Sequence, residues 1–217
     1  MFQYINVDKL LAEYPNLEIV EYGSNHIPQS IQGVFAMDSV HNEIRFAKCY
    51  TIRINLSVDK LPTVKDIGHH IDVNYPHRYT NRELCLGTNT EIIVTCVVDG
   101  IFDVYLWFKK FVIPYYYSYE YYNRMGEYPF GERSHGTKGI LEYYMDNFNF
   151  ETHKQAYDFI SFVQGHKKYR GHFYCPCGSG KRIRNCHKEA FERALAPNIK
   201  ERINEDLKIV KRMKIIE

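Results

Sequence analysis

The sequence of 217 residues has almost no net charge, no long apolar run and no apolar N-terminus. Its 28 basic and 26 acidic residues leave a net charge of +2, so no field of the whole chain attracts nucleic acid or a membrane surface. No segment approaches the roughly 18 uninterrupted apolar residues of a membrane helix. The first residues, MFQYINVDKLLAEYPN, lack the basic and apolar regions of a secretory signal. We therefore expect a cytoplasmic protein with neither a membrane nor a nucleic-acid partner.

The cysteines are unevenly distributed, and half of them lie in one short stretch. Three of the six cysteines and a histidine fall in CPCGSGKRIRNCH. In a reducing compartment, such clusters bind metal or react more often than they form disulfides. Zinc takes four thiolate or imidazole ligands in a tetrahedron, and Cys175, Cys177, Cys186 and His187 form two close pairs joined by a glycine-containing turn. The stretch predicts a structural zinc site, with a disulfide or free thiols as the alternatives. The GSGK within it lacks the spacing of a nucleotide-binding P-loop.

The rest of the sequence predicts one larger α+β domain. Apolar residues recur at helical spacing over 7–14, whereas segments at 17–22, 31–38 and 44–56 have the composition and alternation of strands. A mostly helical pattern then runs from about 90 to 164, with breaks near Gly100 and Pro114. We expect an antiparallel β-meander flanked by an N-terminal helix and several C-terminal helices, plus a small zinc knuckle.

Composition turns basic and glycine-containing around QGHKKYRGH, which places the domain boundary between residues 165 and 166. The predicted domains are therefore 1–165 and 166–217. Within the first, PYYYSYEYY places Tyr115, Tyr119 and Tyr122 at helical spacing, which favours a face packed on a core over a platform for nucleic-acid bases. The tail from Lys200 alternates charge and predicts a solvated amphipathic helix, with docking of its apolar face on a partner as the alternative.

Two groups of motifs resemble known families. CPCGSGKRIRNCH resembles the SEC-C motif, a zinc knuckle at the end of the bacterial secretion ATPase and of many other bacterial proteins. A helix, a meander, a long loop with one cysteine and further helices are similar to the ubiquitin-conjugating-enzyme (UBC) fold. LPTV resembles that family's proline-containing segment after the last strand, and NRELCLG its reactive-cysteine element. HRYTNRELCLG, FGERSHGTKGILEYY and the terminal motif together are similar to the stand-alone conjugating-enzyme-like proteins of short type II CBASS anti-phage operons.

This resemblance implies a thioester carrier. Cys85 would accept the C-terminus of a protein and transfer it to an amine, usually a lysine. In the CBASS setting, the carried protein is implied to be a cGAS-like nucleotidyltransferase (CD-NTase) with a C-terminal glycine. A buried thiol without chemistry is the alternative for Cys85, because free cysteine is among the most buried residue types. Cys96, in the apolar run IIVTCVVDGIF, is predicted to belong to the core.

The residues before the cysteine depart from the family pattern. The ordinary family has His-Pro-Asn there, in which the histidine mainly fixes the loop and the asparagine helps to stabilise the oxyanion. Here His77 is followed by arginine, and Tyr79 stands where the asparagine would be. The oxyanion role is therefore not carried over, and Asn81 or a backbone N–H near Gly87 are the candidates for it.

His135, in the loop RSHGTKG, is a candidate general base for the thiol or the incoming amine, and a solvent-exposed histidine is the alternative. Two other classes of function stay open. One is a binding module that keeps the UBC fold without catalysis. The other is a zinc-knuckle adaptor for nucleic acid or chaperones, and the near-neutral charge of the chain weighs against its nucleic-acid form.

Overall fold

The computed structural model describes residues 2–134 and 136–212. The chain divides into two compact units, Met1–Gly131 and Glu132–Glu217, which we call the N-terminal unit and the C-terminal unit. Helices and an antiparallel sheet make the fold mixed α+β, as the sequence predicts.

The N-terminal unit is built around a meander of strands. Its elements in chain order are β1 (Gln3–Ile5), α1 (Val7–Glu13), β2 (Leu17–Tyr22), a 3₁₀ turn (Ser24–His26), β3 (Pro28–His41), β4 (Ile44–Ser57), β5 (Lys60–Asp66), α2 (Asn89–Cys96), β6 (Val97–Val98), β7 (Ile101–Asp103), α3 (Val104–Trp107), a π-helical segment (Phe108–Val112) and α4 (Ile113–Met125). Strands β2 to β5 pair antiparallel in sequence order. In a second, smaller sheet, β7 pairs parallel to β1 and antiparallel to β6. The predicted helix followed by a meander is confirmed.

The core of this unit lies between the meander and the helices that follow it. Phe35 on β3 is fully buried, and its ring contacts those of Tyr50, Phe108 and Tyr116 at 5.1 to 5.6 Å. Burying a phenylalanine of this kind stabilises a fold by roughly 1.5–3 kcal/mol. Alternate residues of β4 face the same core, as the alternation in TIRINL predicts.

The segment LPTV lies inside the last strand of the meander, whereas the sequence analysis placed it after that strand. Pro62 belongs to β5 and lies beside an irregularity of the ladder between Asn55 and Ser57. Proline is tolerated there because a ladder irregularity at the edge of a sheet needs no N–H donor.

The predicted breaks at Gly100 and Pro114 have different outcomes. At Gly100 the chain turns between β6 and β7, so the predicted break is confirmed, although these two short strands lie in a stretch predicted to be mostly helical. Pro114 does not break its helix, because the π-helical segment directly before it accommodates the missing N–H.

The C-terminal unit is helical. It contains α5 (Gly136–Phe148), α6 (His153–Gln164), a 3₁₀ turn (Ile183–Asn185), α7 (Lys188–Ala194) and α8 (Pro197–Arg212). Both α5 and α6 pack on α8. The two long helices therefore belong to the same unit as the cysteine-rich segment. The boundary along the chain falls between Gly131 and Glu132, well before the boundary expected at 165/166.

The tail helix α8 is part of the core of its own unit. Ile203, Leu207 and Val210 are fully buried, and the buried carboxylate of Asp206 accepts a hydrogen bond from the Tyr144 hydroxyl at 2.8 Å. The predicted amphipathic helix is confirmed, and its apolar face is covered by the unit's own core rather than solvated. Within the part of the chain that the structure describes, no helix combines the length and apolarity needed to cross a membrane.

The turn between β3 and β4 allows a test of the meander. Asn42 and Glu43 both have positive φ, at 46° and 66°, as a two-residue type I′ hairpin requires. Glycine adopts such angles without a Cβ clash, so Glu43→Gly should raise the free energy of unfolding by about 0.5–1 kcal/mol. Urea denaturation measures this change, and a lower midpoint for the variant would contradict the assigned turn.

Candidate functional site

Cys85 lies in a short hairpin that follows β5. The Cys85 N–H donates to the His77 carbonyl at 2.8 Å, and the Tyr79 N–H donates to the Glu83 carbonyl at 2.8 Å. The chain reverses direction over residues 80–82 between these two contacts. Since side chains on paired strands alternate between faces, those of His77, Tyr79 and Cys85 share one face of the hairpin.

The opposite face of the hairpin packs inward, which leaves the thiol accessible. Leu84 is only 5% exposed, and its N–H donates to the carbonyl of Val64 on β5 at 2.9 Å. The Cys85 side chain, on the other face, is half-buried. Because neighbouring side chains point to opposite faces, Leu84 anchors the backbone to the sheet edge while Cys85 presents its sulfur on the outer face.

Tyr79 supplies a hydrogen-bond donor to this sulfur. Its hydroxyl lies 3.4 Å from Cys85 Sγ and donates to it. The hydrogen bond to Cys85, together with partial burial and the nearby charge of Glu83, raises the pKa of Tyr79 to about 12. The phenol is therefore protonated, and able to donate, at neutral pH. Sequence reasoning did not assign Tyr79 a role, although its place at the family's asparagine position was the available signal.

The tyrosine face of α4 fixes the loop that carries Cys85. The Tyr75 ring packs against those of Tyr115, Tyr119 and Tyr122 at 5.0 to 5.9 Å. The Tyr115 hydroxyl donates to the His77 carbonyl at 3.1 Å, so this carbonyl accepts from both the helix and the Cys85 N–H. The prediction that these tyrosines form a packed face is confirmed.

Both ends of the loop have their own anchors. At its start, the buried Asp66 carboxylate accepts from the Ile71 N–H at 2.9 Å and contacts His70 Nδ1 at 3.1 Å. At its end, Gly87 has a φ of 144°, which only glycine adopts without strain. Thr88 then caps α2 through its hydroxyl.

The other residues singled out in the sequence have different positions. The His77 ring packs edge-on against Tyr75 and Tyr128, an arrangement suited to fixing the loop. Asn81 lies at the turn of the hairpin, where its Oδ1 accepts from the Glu83 N–H at 3.0 Å. His135 lies outside the described residues.

A second cluster lies in the C-terminal unit and could hold a metal ion. One potential ligand atom from each of Cys175, Cys177, Cys186 and His187 lies within 4.8 Å of the others. Three of the contacts between them measure 3.2, 3.3 and 3.6 Å. A tetrahedron with metal–sulfur distances of about 2.3 Å and a metal–nitrogen distance of about 2.0 Å has edges of about 3.5–3.8 Å. These contacts are therefore close to the edges of a coordination tetrahedron.

Two neighbouring groups orient the ligands. His187 directs Nδ1 to the cluster. Its Nε2–H donates a hydrogen bond to the carbonyl of Asn149 at 3.2 Å. Asn149 follows α5 in a left-handed conformation, with φ at 60°. The Ser179 hydroxyl lies 3.2 Å from Cys177 Sγ and 3.3 Å from Cys186 Sγ. Neither Asn149 nor Ser179 was predicted to take part, and their roles depend on backbone geometry.

The electrostatics of the cluster also fit a metal site. Burial raises the pKa of the Cys177 thiol, but hydrogen bonds from the side chain and backbone of Ser179 outweigh it and bring the pKa to about 6. Burial raises the pKa of Cys175 to about 12. A metal ion must therefore displace a proton from Cys175, so its affinity should increase with pH.

The cluster predicts the metal content of the protein. Purified protein should contain about one metal ion per chain, as elemental analysis by mass spectrometry would measure. Cys177→Ser should lose the ion and unfold the segment around residues 175–187, because small metal knuckles fold only with their metal. The fold of the N-terminal unit should be unaffected.

Cys49→Ser is the matched control, since Cys49 is exposed on β4 outside the cluster. This variant should keep its metal. A full metal content in Cys177→Ser would show that the ligand set is wrong.

Comparison of the chain with models of known families, with curated proteins and with solved structures found no match. What supports a function is therefore the motifs quoted above and the geometry of the two clusters.

Proposed function

We propose that this protein is a ubiquitin-conjugating-enzyme-like acyl carrier, in which Cys85 accepts the C-terminus of a protein as a thioester and passes it to an amine. The observation that carries the proposal is the position of Cys85. It lies in a half-buried position on an anchored hairpin between the last strand of the meander and α2, with the Tyr79 hydroxyl directed at its sulfur.

The two other cysteines of the N-terminal unit are less suited to this chemistry. Cys96 is only 2% exposed, and burial, with a smaller contribution from Asp103, raises its pKa to about 12. It is therefore neither accessible nor ionised at neutral pH. Cys49 is exposed but lies within the long strand β4, paired with Ala36 of β3, rather than in a loop that follows the meander.

The reaction requires a nucleophilic sulfur and a hydrogen-bond donor for the negative charge that forms on the carbonyl oxygen. The Cys85 thiolate attacks the activated carbonyl carbon of the incoming C-terminus, a C–S bond forms, and the activating group leaves with the electrons of its own bond. A neutral amine then attacks the same carbon and loses a proton to solvent, the C–S bond breaks with its electrons on sulfur, and the thiolate is restored. Each attack places negative charge on the carbonyl oxygen, which is bonded to the carbon next to sulfur.

In this proposal, Tyr79 is the hydrogen-bond donor that stabilises the oxyanion. A hydroxyl 3.4 Å from Sγ is close enough to turn to the oxygen of an acyl group on that sulfur. Because the pKa of Tyr79 is raised to about 12, the phenol keeps its proton and donates a hydrogen bond to the oxyanion. Tyr79 thus takes the role that the ordinary family gives to asparagine.

The substrate follows from the family resemblance. The protein carried on Cys85 would be a CD-NTase with a C-terminal glycine, acting in anti-phage defence in the cytoplasm. The metal cluster, with three thiolates and one imidazole, would hold a structural zinc ion, since such closed four-ligand sites serve folding rather than catalysis.

Substitution of Cys85 tests the carrier reaction. Cys85→Lys, co-expressed with the carried protein, should convert an adduct that thiols release into an amide that survives reducing gels. Cys49→Lys is the matched control and should form no adduct. An equal adduct on both variants would show that lysine accessibility alone explains the result.

Two alanine variants separate chemistry from folding. Cys85→Ala should abolish conjugation with little change in melting temperature, because a half-buried loop thiol contributes little packing. Cys96→Ala should keep its activity per folded molecule and lose about 1 kcal/mol of stability to a small cavity. If Cys85→Ala instead destabilises the fold and leaves conjugation intact, a non-catalytic binding module replaces the enzyme.

Removal of the Tyr79 hydroxyl tests its role. Tyr79→Phe should slow discharge of the thioester to lysine by about 10- to 100-fold in a single-turnover assay. Its melting temperature should stay the same, because the side chain is 54% exposed. Tyr22→Phe is a control of equal exposure on β2 and should discharge at the wild-type rate. Equal rates for both variants would remove Tyr79 from the mechanism.

A further inference from the structure

The near-neutral charge of the chain is the sum of two opposite charges. The N-terminal unit contains 11 basic and 15 acidic residues, and the C-terminal unit contains 17 basic and 11 acidic residues. The units therefore have formal net charges of −4 and +6. The near-zero charge of the whole chain therefore does not describe the C-terminal unit, and it is no argument against a nucleic-acid partner of that unit.

The positive charge of this unit is concentrated around the metal cluster. Residues 165–188 contain seven Lys or Arg residues and no Asp or Glu, and all seven are exposed. In residues 2–134 and 136–212, no ion pair joins any of the seven to a carboxylate. We call these residues the basic knuckle surface: Lys167, Lys168, Arg170, Lys181, Arg182, Arg184 and Lys188.

The fold brings the two basic runs of this segment together. The Cys175 N–H donates to the Lys181 carbonyl at 2.8 Å, and the Ile183 N–H donates to the Phe173 carbonyl at 2.9 Å. The stretch after Arg170 therefore runs antiparallel to the stretch from Lys181. Ile183 is buried beneath this pair, whereas the cations beside it are exposed.

An exposed aromatic ring lies among these cations. Tyr174 is 68% exposed and pairs directly across the backbone ladder with Arg182. The Arg182 guanidinium lies over the Tyr174 ring, 5.4 Å from its centroid. A flat ring and a stacked guanidinium next to free cations provide both of the contacts that a single-stranded nucleic acid requires, base stacking and phosphate pairing.

Neutralisation of the metal cluster does not account for so many cations. Three thiolates, one neutral imidazole and a divalent ion have a net charge of about −1. One cation balances this charge, and the basic knuckle surface has seven. The remaining positive charge faces solvent and is available to an anionic partner.

We propose that the basic knuckle surface binds single-stranded nucleic acid, with Tyr174 stacking on a base and the surrounding cations pairing with phosphates. This binding is separate from the chemistry of Cys85. Backbone hydrogen bonds across the turn hold the two basic runs side by side, so the surface is formed before the nucleic acid arrives.

Fluorescence anisotropy of the full chain with labelled oligouridine or oligothymidine of about 16 nucleotides tests the proposal. Affinity should fall steeply between about 50 mM and about 200 mM salt. The triple variant Lys167→Gln/Lys168→Gln/Lys181→Gln should reduce the slope of log affinity against log salt by up to about 2, at roughly 0.7 per lost phosphate contact. Lys60→Gln/Lys138→Gln/Lys208→Gln removes the same charge from exposed positions elsewhere and should keep the wild-type slope.

The aromatic contact has its own pair of variants. Tyr174→Ala should weaken binding at least about fivefold, whereas Tyr174→Phe should bind like wild type because it keeps the stacking ring. Metal content, measured for every variant, shows that the knuckle is folded.

Three results would overturn the proposal. They are unchanged anisotropy at low salt, equal slopes for the two triple variants, and equal affinity of Tyr174→Ala and wild type. Binding to polyglutamate or to phosphatidylserine vesicles in place of the oligonucleotides would likewise assign the surface to an acidic protein or a membrane.

Discussion

The packing of tyrosines on the loop that carries Cys85 is the interaction on which the N-terminal site depends. Residues 67–88 form a connection without helices or extended strands, so its conformation must be stabilised by contacts with other elements. A connection of this length is uncommon in a compact domain unless it has a function. Tyr75 inserts its ring against three tyrosines of α4, and the Tyr115 hydroxyl binds the same carbonyl that receives the Cys85 N–H. Helix, loop and cysteine are thereby fixed relative to one another.

These contacts explain why the site can be both accessible and rigid. A thiol that reacts with a protein C-terminus must face solvent, and an exposed loop is ordinarily mobile. Here the buried face of the hairpin, through Leu84, and the buried carboxylate of Asp66 provide the order. The exposed face then positions Cys85 beside Tyr79 with a hydroxyl-to-sulfur distance of 3.4 Å. In the chemistry that we propose, the exposed side chains are held in position by the buried residues beneath them.

The C-terminal unit has a cluster that could hold a metal ion, in place of the packed aromatic rings of the N-terminal site. The segment between α6 and α7 has few apolar residues to bury, so contacts among Cys175, Cys177, Cys186 and His187 take the place of a core. His187 links this segment to the end of α5 through the Asn149 carbonyl and also begins α7. Ligand geometry and helix packing therefore support each other, and the side chains that neither requires, the seven cations and Tyr174, stay on the outside.

The sequence by itself determined the features that depend on local pattern. Alternation identified the meander, helical spacing identified the tyrosine face of α4, and the spacing of Cys175, Cys177, Cys186 and His187 identified the cluster that could hold a metal ion. It misplaced Pro62 and the burial of α8, because an irregular sheet edge and a covering neighbour have no local signature. Tyr79 beside Cys85, Asn149 beside His187 and Tyr174 beside Arg182 were decided only by the tertiary structure. Each of these pairs depends on how the backbone turns between its members, and backbone turns are set by packing at a distance rather than by the residues that come to touch.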